Sequence, residues 1–471
     1  MNREIESLPG STRARELLVS KALETFDKLA AQAAGDRSLQ RELATAYAAA
    51  GNLQWSRYYA HLGQYDGALE SARKAREIRE SLVAADPNDE DARRDLAYSY
   101  IVLGDLTSGR EDLLEALRSY RQSVELREAL VARHPTSVND RLALMVSYQR
   151  VGDTAGNPNF ASLDDTATAA HYYDKMLRID EDLAREFPQE PEYQLNLRIA
   201  YEKIRDLRWA MGDRDAAFDV YRQALVINEK LVAEHPNNTR YRRDLMIAHR
   251  KTGLMFAEVG DLEKGVGHLQ QAERVADEIS AADPANASAR MDLGNLAFAW
   301  YSAATFATRQ DRAALGRELA ARGIALLKTH AERPEATADH LANYAFALSV
   351  FEPASLRNPS AALLSARRAA DMKKGDPFVL NALAWALHAN GAWVQAAATA
   401  EQALARLSPG AASRKTFQAD LAAFRAAVKW HAGQRTDAIA ELERTLGTLD
   451  VAAGRRPILE STLASYKAVD R

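Results

Sequence analysis

Apolar residues recur along this chain every three or four positions rather than every second one. Between Ala116 and Arg133, for example, Leu126, Ala129 and Leu130 share one side while polar residues fill the other. That spacing predicts an amphipathic helix, and Val, Ile and Thr form none of the alternating runs expected of strands.

The helical stretches are punctuated at a fixed period. Pro87, Pro135, Pro188, Pro236 and Pro284 follow helix ends at spacings of 48, 53, 48 and 48 residues. A second marker, Leu96, Leu144, Leu197, Leu245, Leu293 and Leu341, repeats at 48, 53, 48, 48 and 48, with Leu43 another 53 residues earlier. The strings around it repeat too, as in Arg94-Asp95-Leu96, Arg243-Asp244-Leu245 and Met291-Asp292-Leu293. Each unit therefore reads as two antiparallel helices and a tight turn, with proline placed where its missing N–H does little harm. Beyond Leu341 the leucine marker shortens to Leu383 and Leu421. Residues 1–340 are expected to be an array of long units behind a lone capping helix, Ser11–Ala34. Residues 341–471 are expected to hold shorter units and a closing helix over Pro457–Val469. The 53-residue unit predicts a surface insertion at Thr154–Thr166, where Gly156, Asn157, Pro158 and Asn159 are turn formers. The unit around Trp300 reads as degenerate, with Tyr301 where Gly104, Gly152 and Gly253 stand elsewhere.

Within the units the residues resemble the tetratricopeptide repeat. One copy reads Leu380, Leu383, Ala384, Leu387, Gly391, Trp393, Ala396, Ala400, Ala403, with Pro409 closing it one residue late. A second reads Trp55, Ser56, Tyr59, Gly63, Tyr65, Ala68, Ala72, Ala75, and a third Tyr100, Leu103, Gly104, Ala116, Tyr120. Small residues let two helix backbones approach, and large ones fill the gap beside them; Leu383 should lie between the helices of its unit. The period departs from that family's usual length of about 34 residues. The roughly 14 extra, shared between two helices, are close to two full turns each, so the buried stripe keeps its face. The resemblance implies an all-α, right-handed superhelical solenoid of antiparallel helix pairs.

A narrower resemblance lies in Arg76–Pro87 and Ala92–Tyr100, which are similar to the repeat arrays attached to certain bacterial serine/threonine protein kinases. Leu8-Pro9-Gly10 and Arg15–Val19 look like the entry to such arrays. No kinase motif accompanies them: Ile204-Arg205-Asp206-Leu207 imitates a catalytic loop, but the leading His is Ile204 and the required Asn is Met211.

Charge and composition remove several function classes. The 61 basic and 65 acidic residues leave a formal charge of −4, which gives no electrostatic case for nucleic acid or an anionic membrane. The absence of cysteine excludes disulfides, thiolate catalysis and zinc–thiolate sites. There is no apolar signal core, no purely apolar stretch long enough to span a bilayer, no dinucleotide loop, no nucleophile elbow and no histidine pair at metal-ligand spacing. Catalytic residues, cofactors and metals are accordingly not expected. The reading is of a soluble protein, cytoplasmic, or on the extracytoplasmic side of a membrane-anchored kinase.

The expected function is a non-enzymatic interaction scaffold for a protein or peptide; the alternative is a regulatory or sensory module of a linked or associated kinase. The resemblance implies that first helices line a concave groove. Positions seven apart differ by about 20° on a helix, which puts Arg94, Ile101 and Asp105 beside Tyr98. Arg243, Ile247 and Arg250 occupy the matching stripe further along, and Ile199, Glu202, Asp206 and Trp209 lie between. Aromatics and arginine are enriched at binding hot spots. The competing structural reading pairs Arg94 and Arg243 with carboxylates of adjacent helices, and packs Tyr98, Tyr100, Tyr201 and Tyr241 between units.

Overall fold

The computed structural model describes residues 11–33, 35–55, 62–283, 286–407, 413–448 and 455–470. Leu8–Gly10, Ser56, Tyr59, Pro284 and Pro409, named above, lie outside them. Among the described residues there are twenty α-helices, one short 3-10 turn (Ala354–Leu356) and no strand. The chain divides into two compact units, Met1–Ile227 and Asn228–Arg471. The first holds α1 (Ser11–Gln32), α2 (Arg37–Gln54), α3 (Tyr65–Ala85), α4 (Glu90–Gly109), α5 (Leu113–Arg133), α6 (Val138–Gly156), α7 (Thr166–Glu186), α8 (Pro191–Ala210) and most of α9 (Arg214–Glu234). The second runs through α10 (Thr239–Glu258), α11 (Leu262–Ala282), α12 (Ala287–Arg309), α13 (Ala313–Ala331), α14 (Ala338–Val350), α15 (Pro359–Met372), α16 (Pro377–Ala389), α17 (Trp393–Arg406), α18 (Arg414–His431), α19 (Arg435–Thr448) and α20 (Arg456–Asp470). Within each unit successive helices pack as pairs, the all-α repeat array that the spacing predicts.

The proline marker builds the turn between pairs. The Asp89 N–H donates to the Asp86 carbonyl across Pro87, and Ser137, Glu190 and Asn238 do the same to His134, Phe187 and His235 across Pro135, Pro188 and Pro236, at 3.0–3.1 Å. Proline presets φ at the second turn position. In three of the four the fourth residue then caps the next helix: Asp89 accepts from the Ala92 N–H, Ser137 from Asp140, and Asn238 from Arg240 and Tyr241, whereas Glu190 makes no side-chain cap and is followed by Pro191.

The extra period is entirely helix. The pairs α4/α5 and α8/α9 are 20 and 21 residues long, whereas α14 to α17 measure 13, 14, 13 and 14. Each long helix thus exceeds its short counterpart by about seven residues, or two turns.

Close packing follows the small residues. A Cβ at Gly104 would lie 2.3 Å from the Tyr120 ring, and one at Gly152 would lie 2.5 Å from Tyr173; both tyrosines are fully buried. The unit around Trp300 is repacked rather than degenerate. Tyr301 stacks on Phe351 at 3.9 Å, Trp300 is fully buried, and the close approach moves to Gly323, whose Cβ would meet the Ala297 carbonyl at 2.7 Å.

Two expectations are corrected in detail. The insertion is shorter than Thr154–Thr166, because Thr154, Ala155 and Gly156 complete α6 and are buried with Asn157. Pro158–Ala161 are exposed, as are Asp164 and Asp165; between them Leu163 packs against the core, and its N–H donates to the Thr154 carbonyl at 3.0 Å. Leu383 is half-buried rather than enclosed, and packs against two adjoining clusters.

Candidate functional site

Two ladders join successive pairs, one from first to second helices and one between like helices of adjacent repeats. In one, a tyrosine hydroxyl donates to an acidic residue 20 positions earlier, on the preceding second helix. Tyr47 reaches Asp27 (2.5 Å), Tyr100 reaches Glu80 (2.7 Å), Tyr148 reaches Glu128 (2.7 Å) and Tyr201 reaches Glu181 (3.2 Å). Burial and the facing carboxylate both hold these phenols above their usual range. In the other, a cation reaches a carboxylate one repeat away, as Lys74 does to Asp27 (2.7 Å), Lys175 to Glu128 (2.8 Å) and Lys203 to Asp153 (2.6 Å).

The residues of the expected groove are placed as follows within the first unit. Arg94 holds Asp140 of α6 through Nε (2.8 Å) and Nη2 (3.0 Å), and reaches Asp91 through Nη1 (3.0 Å). The Arg94 hydrogen bond keeps the Asp140 carboxyl below its usual range. Tyr98, one turn on, is 47% exposed, whereas Tyr100 and Tyr201 belong to the ladder. Ile101 is buried in the core with Tyr120 and Tyr148 and cannot meet a partner. Asp105 accepts from the Tyr120 hydroxyl (2.7 Å) and from Arg150 (2.8 Å). On α8, Ile199 is half-buried, Glu202 accepts from Arg198 (2.7 Å), and Asp206 accepts from Arg205 (2.8 Å) and from Asn159 of the loop (2.8 Å). Trp209 packs edge-on against Phe218 and lies under the Arg214 guanidinium, 3.9 Å from the ring centre.

In the second unit Arg243 chelates Asp292 through Nε (2.5 Å) and Nη2 (3.0 Å). Ile247 packs against the core, and Tyr241 is half-buried beside His235. Burial pulls the Arg250 guanidinium below its usual range, against the opposing pull of Asp292.

One feature was overlooked in the sequence. Second helices place ionisable residues inside their apolar stripe at one register position: Arg79, Arg127 and Asp180, all at most 9% exposed. The sign was legible in Ile78-Arg79, Leu126-Arg127 and Ile179-Asp180, each followed three residues later by a buried leucine, Leu82, Leu130 or Leu183. Arg79 donates to the Ser99 hydroxyl at 2.7 Å. Neither carboxylate oxygen of Asp180 has a hydrogen-bond partner among the described residues, and burial pushes this carboxyl up to about 7. Arg127 lines a cleft of about 460 Å³ with Arg94, Leu130, Ser137, Asn139, Asp140 and Ala143.

The tetratricopeptide repeat family model matches residues 56–89, which take in α3 and the proline turn after it. Those residues form one tetratricopeptide repeat within the all-α repeat array. BtubC from P. vanneervenii is similar in structure over 57% of this repeat protein and 93% of its own chain, at 14% identity and a TM-score of 0.36. Yeast Tom70 is matched over 96% of both chains at 13% identity and a TM-score of 0.30. The thermophilic TPR protein TTC0263 of Thermus thermophilus is matched over 54% of this chain and 98% of its own, at 18% identity and a TM-score of 0.28. No curated protein matches this repeat protein. Among the described residues, no helix is long and apolar enough to cross a membrane.

Proposed function

We propose that this repeat protein is a non-catalytic scaffold that binds a protein or peptide along its first helices, in the groove that such arrays present. The observation that carries the reading is Tyr98: a large aromatic left 47% exposed on a first helix whose neighbouring charges are already tied into ladders. Aromatic side chains bring large contact area at small entropic expense, and exposed ones beside arginine are frequent hot spots. Tyr98 would contribute binding energy with Ile199, Glu202 and Trp209 in the first unit, and Ile247 and Arg250 would serve the second. Arg94 and Arg243, each chelating a carboxylate, would act by fixing the spacing of first helices. The test is capture of a partner by the full chain, followed by affinity measurement with Tyr98→Ala. The expected result is about a tenfold loss, or about 1.4 kcal/mol, at unchanged melting temperature. Retained affinity would place the binding surface elsewhere.

The second reading, a regulatory module beside a bacterial serine/threonine kinase, rests on the resemblance of the Arg76–Tyr100 string alone. It requires that the chain alter the activity of a kinase encoded with it, measured as phosphate transfer with and without the repeat protein.

A further inference from the structure

The cleft at Arg127 contains a cation that no carboxylate among the described residues reaches by a hydrogen bond or ion pair, although Asp140 lines the same cleft. Arg79, its equivalent one repeat earlier, also has a buried Nε without an acceptor among the described residues, but its Nη1 donates to the Ser99 hydroxyl at 2.7 Å. The matching serine for Arg127 is Ser147, 48 residues beyond Ser99. Ser147 is engaged instead by Ser123, with the two hydroxyls 3.0 Å apart, and also donates to the Ala143 carbonyl (3.3 Å). In the preceding unit the position of Ser123 is held by Ala75, which offers Ser99 no such partner. Arg127 therefore makes no hydrogen bond or ion pair among the described residues, and its Nε is sealed from solvent without an acceptor.

The nearest carboxylate does not fill the gap. Both oxygens of Asp140 are taken by Arg94. Arg127 is 9% exposed, and burial lowers its guanidinium only to about 10, so it stays charged at neutral pH. A buried, unpaired charge is strongly unfavourable unless something compensates it. The cleft also opens at the start of α6, beside Ser137 and Asn139, where the helix dipole favours negative charge.

We infer that this cleft binds a carboxylate borne on a short aliphatic stem, with the carboxylate on Arg127 and the stem against Leu130 and Ala143. A planar guanidinium matches a carboxylate two bonds at a time. The neighbouring Asp140 opposes a doubly charged phosphate, and the volume suits a ligand of a few carbons or one side chain. The carboxylate comes from a free small acid or from a glutamate or aspartate of a partner. The carboxylate site is separate from the partner surface proposed above, because it rests on Arg127 rather than on Tyr98.

The test is titration of the full chain, labelled with ¹⁵N-arginine, with glutarate, with the capped peptide acetyl-Ala-Glu-Ala-amide and with inorganic phosphate at constant ionic strength. A carboxylate is expected to shift the Arg127 Nε–Hε signal saturably, at about millimolar Kd for so small a probe. Tighter binding of glutarate assigns a free acid, and tighter binding of the peptide assigns a partner side chain. Arg127→Met removes that signal, so binding to this variant is read by calorimetry and should be lost. Should that variant fail to fold, Ser123→Ala provides the second arm: it releases Ser147 to bond Arg127 as Ser99 bonds Arg79, and should weaken carboxylate binding several-fold. No saturable shift with either carboxylate, unchanged binding in folded Arg127→Met or in Ser123→Ala, or phosphate binding tighter than both carboxylates would each overturn the assignment.

Discussion

Asp180 and Arg127 occupy the same register position with opposite charge, and the fold tolerates each for a different reason. Arg127 cannot shed its proton near neutral pH, but Asp180 can take one up. Its folded carboxyl titrates near 7 against an ordinary value of 3.8, so the folded state binds a proton that the unfolded state releases. The native state thus gains relative stability below about pH 4, and this gain is lost as pH rises toward 7. Asp180→Asn should therefore flatten that segment of the stability–pH profile. At pH 8 it should stabilise the protein by about 2 kcal/mol, measured by urea unfolding at several pH values. A second prediction separates two helical glycines. Gly152→Ala drives a methyl into the Tyr173 ring and should destabilise by about 1–3 kcal/mol. Gly267→Ala meets nothing within 4 Å and should stabilise by up to about 1 kcal/mol, through helix propensity alone. Residue types and periods made Gly104 and Gly152 legible as close-approach positions. Ile101 was misplaced because seven-residue spacing fixes a face only to within tens of degrees, and first helices here are buried over more than one side.

At the scale of elements, the prolines, caps and helix lengths followed from the sequence because turn chemistry and periodicity are local. The insertion was legible as an insertion but not in its edges. Asn157 looks like a turn residue, yet it is buried and donates to the Tyr173 hydroxyl (3.1 Å) and to Asp153 (2.9 Å). Excision of Pro158–Ala161 should consequently shift the melting temperature by no more than about 2 °C, since loop closure depends weakly on length. A deletion extended back through Thr154 should unfold the neighbouring pair. Scanning calorimetry of the two variants distinguishes them. The ladders were less legible: a tyrosine 20 residues after an acidic residue has no local signature and becomes visible only once the helices are paired.

Within each of the two units of the molecule, contacts run between neighbouring helices, so damage should stay local, as it does in quasi-one-dimensional arrays. The end of the second unit offers the test. Arg455 lies against Asp420 (Nε 2.8 Å), a fully buried carboxylate that also accepts from Asn381 (2.7 Å), and its guanidinium covers the Phe346 ring at 4.3 Å. Arg455→Ala leaves that carboxylate without its cation, which should cost about 3–5 kcal/mol. Hydrogen exchange should accelerate in α18 and α20 while α4 to α6 keep wild-type protection. Uniform loss of protection would show that the array unfolds as a single cooperative body.

The two-turn difference between long and short helices has a genetic corollary. A helix in such an array can grow or shrink by about seven codons and keep every downstream side chain on its original face. About five codons inserted in a helix would rotate all that follows by about 140°. Length variation in this gene should accordingly fall into two classes, multiples of seven inside helices and arbitrary lengths at the turns. The 48-residue and shorter units exemplify the first class, and the five residues near Pro158 exemplify the second.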